Sequence, residues 1–120
     1  MHWVVVLLCL GVAGCASSDA PLPTPDPPNA STVAATAIAV AAESKIPLPL
    51  EISPVRAAHP LALGDWIVCV KSGAPNQRFR YAMFFKNTYV ASRIAIAIDG
   101  CAGETYAALA PPAPPPPAPK

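Results

Sequence analysis

The sequence predicts a small α+β protein: one short N-terminal helix and a small antiparallel three-stranded β-meander, set between a disordered Pro-rich linker and a Pro-rich tail. Three observations carry that expectation. Residues 31–45 are alanine-rich, with an apolar stripe at helical spacing. Residues 64–106 contain three runs of strand composition, two of which alternate between two faces. The prolines, 17 of 120 residues, gather at three places and mark the boundaries.

The chain opens on an uncharged run, Trp3 to Gly14, reading WVVVLLCLGVAG. It is too short for a membrane helix, which needs roughly 20 residues. A secretory signal, with an apolar region of ~7–15 residues closed by small side chains, fits that length. Val12-Ala13-Gly14-Cys15 resembles the lipobox of bacterial lipoproteins, with Leu7, Leu8 and Leu10 just upstream. The resemblance implies that residues 1–14 are a signal peptide, that Cys15 carries diacylglycerol on its sulfur, and that the new amino terminus is acylated. Two or more chains make attachment durable where one is marginal, at ~0.8 kcal/mol per buried methylene. Ala16 rather than an aspartate follows the cysteine, which by the same resemblance implies the outer membrane, with the domain facing the periplasm. The chain departs from the family before the apolar run, where it has only Met1, His2 and the α-amino group instead of Lys or Arg. An ordinary cleaved signal with an incidental Cys15 is the alternative, and an uncleaved apolar N-terminus is a further one.

The chain beyond residue 14 is enough for one domain at most. The formal net charge of +1 gives no basis for steering toward nucleic acid or an acidic surface, so no nucleic-acid partner is expected. Residues 15–30 join the lipidated cysteine to a proline-rich linker that cannot form a core. Its prolines favour an extended spacer at ~3.1 Å per residue. Such a spacer either holds the domain clear of the lipid or is a leader with no selected length.

Residues 31–63 are read as a helix and an extended connector. Asn29 or Ser31 supplies an N-cap. Val33, Ala37, Val40, Ala41 and Ser44 form the stripe, with Ala34, Ile38 and Ala42 beside it. So short a helix needs a surface against which to bury its apolar face. Pro47, Pro49, Pro54 and Pro60 forbid a regular helix after it, leaving an edge strand or extended connector. His59 has no Cys, Asp or Glu cluster beside it and reads as a loop histidine.

Residues 64–106 are the expected β-meander domain. Residues 66–71 (WIVCVK) form its first strand and residues 72–76 its first turn. In residues 78–86, Phe79, Tyr81, Met83 and Phe85 fall on one face, and Arg78, Arg80, Ala82, Phe84 and Lys86 on the other. In residues 89–98, Val90, Ser92, Ile94, Ile96 and Ile98 fall on one face, and Tyr89, Ala91, Arg93, Ala95 and Ala97 on the other. Asp99-Gly100 closes that strand. The aromatic and isoleucine faces are expected to share one layer, with the helix covering the alanine face. The tail, 107–120, reads as polyproline II: a docking segment for an aromatic groove, a reach toward the cell wall, or a free end.

Cys9 leaves with the signal and Cys15 is taken by lipid, so Cys69 and Cys101 remain. In an oxidising compartment they are most simply a disulfide, and so small a unit benefits from a staple. Free thiols are the alternative, although neither a Cys-x-x-Cys pair nor a histidine neighbour supports redox chemistry.

No nucleophile–base set, phosphate-binding loop, metal-ligand cluster or cofactor motif stands out. Arg78, Arg80 and Lys86 share a strand face, with Arg93 opposite; this is a possible binding face for an anionic envelope component, or simply a solvated face. The run GDWIVCVKS, then YAMFFKN, SRIAIAID and Cys101, is similar to short uncharacterised alphaproteobacterial lipoproteins, a resemblance that implies no activity. Two functions are expected. One is a small lipid-anchored envelope protein of structural or interaction type, without catalysis. The other is a periplasm-facing binding or accessory subunit that recruits a ligand, envelope protein or cell-wall partner through the Arg-bearing face or the Pro-rich tail.

Overall fold

A computed structural model describes residues 24–110 and 117–119. The expected signal peptide, the lipobox-like run with Cys15, the first part of the linker and half of the expected tail lie outside the described residues.

The helix α1 spans Ala30–Ser44. Asn29 is its N-cap: the Oδ1 atom accepts from the Thr32 N–H at 2.8 Å and from the Ser31 hydroxyl at 2.8 Å, which satisfies donors the first turn leaves free. Lys45 ends it in the left-handed region at φ 55°, and the Ile46 N–H returns to the Ala41 carbonyl at 2.9 Å. Val33, Ala37, Val40 and Ala41 are its buried residues, the stripe expected from the periodicity. Among the described residues no helix is long and apolar enough to cross a membrane.

After the helix come six strands: β1 (Leu50–Ile52), β2 (Arg56–Ala57), β3 (Trp66–Ser72), β4 (Arg80–Phe85), β5 (Tyr89–Ile94) and β6 (Ala107–Ala108). They make one antiparallel sheet in the order β5-β4-β3-β1-β6, with β2 also paired to β3. The expected three-stranded meander is therefore corrected. β3-β4-β5 is a meander, but it is half of a larger sheet that the connector and the start of the tail complete. β1 and β2 lie on the same side of β3, separated by Ser53, Pro54 and Val55. Pro54 has no N–H to give, and Ser53 closes the gap: its N–H donates to the Cys69 carbonyl at 2.9 Å and its hydroxyl accepts from the Cys69 N–H at 2.8 Å. A proline inside a sheet is tolerated at such a break.

β3 and β4 are buried on both faces, and two cores result. On one face Val68, Val70, Met83 and Phe85 pack against Val33, Ala37, Val40 and Ala41 of α1. On the other, Ile67, Cys69, Ala82 and Phe84 pack with Cys101. The expected roles of the faces are thus exchanged. The helix covers the aromatic face, and the alanine face is covered by residues 95–106. The uninterrupted apolar runs Ile67–Val70 and Ala82–Phe85 are the sequence mark of strands covered on both sides.

The third strand of the meander ends sooner than expected, at Ile94 rather than Ile98. Two tight turns, Ala97–Asp99 and Cys101–Gly103, come after it. Within β5 the pairing shifts register, so that Phe84 faces Ala91 while Phe85 faces Tyr89. Tyr89 thereby joins the side of Phe85, edge-to-face with it at 6.2 Å between ring centroids.

Both proline-rich margins contribute to the fold. Pro28 is buried, and the Pro25 carbonyl accepts the Trp66 indole N–H at 2.8 Å. The last residues of the linker therefore lie on the domain rather than serving as free spacer. An extended proline segment keeps its carbonyls unpaired, and a part-buried indole needs an acceptor. At the other end, Ala107 and Ala108 pair with Ile52 and Glu51, and the Leu109 N–H donates to the Leu50 carbonyl at 2.9 Å. The tail, expected from residue 107, thus begins inside the sheet.

Candidate functional site

Cys69 and Cys101 form a disulfide, with Cα atoms 5.6 Å apart. Cys69 sits in the middle of β3 and Cys101 opens the second tight turn, so the bond clamps residues 95–106 over the Ala82–Phe84 face. Both sulfur-bearing residues are buried. Tyr106 assists: its hydroxyl donates to the Cys101 carbonyl at 2.7 Å, and the Lys71 ammonium stands 4.6 Å above its ring. Burial pushes the Tyr106 phenol above its ordinary value, against the opposing charges of Arg80 and Arg56.

Of the four basic residues expected to share a binding face, Arg78 and Arg80 line one hollow, while Lys86 and Arg93 lie apart from it. Arg78 precedes β4 and is exposed, and Lys86 comes after it and lines a separate hollow with His59 and Asp65. Arg93 is engaged internally. Its guanidinium grips Asp99 with both prongs, Nη2 to Oδ1 at 2.7 Å and Nε to Oδ2 at 3.1 Å, and lies 4.9 Å above the Phe84 ring. Arg80 is part-buried at the start of β4. Alternation does place Arg80 and Arg93 on one side of the sheet, but that side is a core beneath residues 95–106 rather than a solvated surface.

Sequence reasoning misses Asp99 as a structural centre. It is 1 % exposed. Beyond Arg93, its carboxylate accepts from the Ile96 N–H at 2.9 Å, and its backbone carbonyl accepts from Arg56 Nη2. Burial by itself would push this carboxyl up. The Arg93 and Ile96 hydrogen bonds, with the charges of Arg93 and Arg56, outweigh that and hold it below the ordinary carboxylate value. Arg56 in turn bonds Glu104, which ties β2 to the segment after the disulfide. The one local clue is Asp-Gly at 99–100, where Gly100 takes φ 69°. Nothing in the sequence ties residue 56 to residue 104.

A second open hollow lies where β4 begins and β5 ends. Arg78, Phe79, Arg80, Ile94 and Ile96 line it, with Cys101 behind, and its volume is about 260 Å³. Phe79, Ile94 and Ile96 are each at least half exposed. His59, the other candidate for chemistry, uses Nδ1 to accept from the Leu61 N–H at 3.1 Å, the role of a loop residue. Among the described residues no group of three or more His, Cys, Asp or Glu could hold a metal ion.

Comparison of the chain with protein-family models, with curated proteins and with solved structures finds no match.

Proposed function

We propose that this chain is a small lipid-anchored protein of the bacterial cell envelope, attached through acylated Cys15, facing the periplasm from the outer membrane, and acting as an interaction domain rather than an enzyme. The observation that carries the reading is the buried Cys69–Cys101 disulfide, which closes a second core over the sheet. A structural disulfide persists in an oxidising compartment and is rare in a reducing one, and the lipobox-like Val12-Ala13-Gly14-Cys15 supports the same address. The Pro-rich linker supports a domain held off a lipid surface, with its last residues seated on Trp66. Another envelope protein or a cell-wall component is the partner such an address makes available.

The test is the intact mass and the N-terminal peptide of the protein made in its own host. A chain beginning at acylated Cys15, and two hydrogens lighter than its reduced form, supports both anchor and disulfide. A chain that begins elsewhere without lipid overturns the anchor. A chain that gains no mass on reduction overturns the compartment argument.

A further inference from the structure

The hollow at the junction of β4 and β5 combines two features rarely left together on a surface. One is unneutralised charge. The acids of this region are committed elsewhere: Asp99 to Arg93, Glu104 to Arg56 and Glu51 to Lys71. Among the described residues, neither Arg78 nor Arg80 has an ion-pair partner, and the Nε atom of Arg80 is buried without a hydrogen-bond partner. Arg80 also stands directly across from Lys71 in the β3–β4 pairing, like charge against like, an arrangement that disfavours the sheet. Arg80 itself is part-exposed, and the Tyr106 phenol beside it brings no negative charge; its guanidinium therefore lacks a counter-charge, which a bound anion would supply. The other feature is apolar: Phe79 is 62 % exposed, Ile94 52 % and Ile96 50 %, all around the same opening.

We propose that this hollow binds a small organic carboxylate with an apolar body. The carboxylate takes the Arg80 guanidinium fork, with Arg78 at the mouth adding a second positive charge. Phe79, Ile94 and Ile96 enclose the apolar part, the usual division of labour in a small-molecule site. The size agrees: an apolar cavity of roughly 150 Å³ accommodates a benzene ring, and the hollow of about 260 Å³ has room for a ring and a carboxylate arm. Inorganic phosphate fits less well, because Arg78 and Arg80 are the only charged residues among those lining the hollow and the other lining side chains are apolar. The proposal needs neither Cys15 nor a membrane, so it can fail while the lipid anchor stands, and the reverse.

The test is an NMR titration of the full chain, uniformly 15N-labelled, with sodium phenylacetate, and in parallel with phenylacetamide and inorganic phosphate. The readout is the shift of the Ala95, Ile96, Gly100 and Ala102 amides and of the Arg80 Nε–H. The expected result is saturable binding of phenylacetate at these positions, with a Kd on the order of 1 mM. Phenylacetamide and phosphate bind at least about tenfold more weakly, because one lacks the charge and the other the apolar body. Arg80→Gln abolishes the shifts. Arg78→Gln, at an exposed position that the fold does not depend on, weakens binding by about tenfold and keeps the test decisive if the Arg80 variant fails to fold. Absence of saturable shifts, shifts centred elsewhere, equal affinity for phenylacetamide or phosphate, or an Arg78→Gln variant of unchanged affinity would each overturn the proposal.

Discussion

Removing the Cys69–Cys101 bond is the perturbation whose size is best worked from the structure. The cysteines are 32 residues apart. In the chain-entropy account, closing a loop of that length lowers the entropy of the unfolded chain enough to stabilise the fold by about 3.7 kcal/mol at 25 °C. A protein of this size typically has only about 5–15 kcal/mol in total, so the loss is a large share. With 1 kcal/mol shifting a domain of this class by roughly 4–8 °C, the melting temperature falls by about 15–30 °C. Cys69→Ala/Cys101→Ala is the variant of choice. Serine would add hydroxyls at positions 0 % and 2 % exposed, with a separate penalty for burying them. Urea denaturation of the oxidised chain, the reduced chain and the double-alanine variant gives the three free energies. The slope against urea should rise on reduction, since an unlinked unfolded chain exposes more surface. Hydrogen exchange should quicken first at Cys69, Ala82 and Phe84, beneath the segment the bond clamps. A loss below about 1 kcal/mol would refute the reasoning. It would mean that Arg93–Asp99 and Arg56–Glu104 alone hold residues 95–106 in place.

Asp99→Asn keeps the shape of the side chain but removes its charge, and should cost about 2 kcal/mol at neutral pH, read by the same urea titration. Because the folded-state value of Asp99 lies below its unfolded value, its contribution is complete above about pH 4 and is lost as the pH falls through the folded value. The variant and wild type should therefore converge in strong acid, and a gap that stays constant across that range would contradict the assignment. Gly64→Ala tests a close approach rather than a charge: a Cβ there would stand 2.8 Å from the Phe85 carbonyl oxygen and 3.1 Å from the Phe84 Cβ. Because backbone must move to admit it, a loss of about 1–3 kcal/mol is expected in thermal melts, and an unchanged melting temperature would show that residues 64–65 are less tightly held than their hydrogen bond to Phe85 indicates.

The local features of this protein could be read from the chain because their causes are local. Asn29 or Ser31 ahead of an alanine-rich run specifies a capped helix, with the structure choosing Asn29, and the spacing of Val33, Ala37, Val40 and Ala41 specifies which side is buried. Alternation and branched side chains specify β3 and β4, and Cys69 and Cys101 are the two cysteines within the strand-forming region. The number of strands could not be read in this way. β1, β2 and β6 are two or three residues long and hold little strand character of their own. They are extended because β3 and β1 offer them unpaired backbone, an effect of neighbours and not of composition. The same is true of the site. Four basic residues could be assigned a side of the strand from parity, but parity does not say what covers that side. Only the return of residues 95–106, fastened by the disulfide and by Asp99, makes it a core, neutralises Arg93 and leaves Arg80 at an open edge. The amino-acid order alone specifies the elements whose stability arises within a few residues of chain. Which faces are buried and which charges are matched emerges only on folding, because both depend on contacts between residues as distant as Arg56 and Glu104, where the chain carries no local signal.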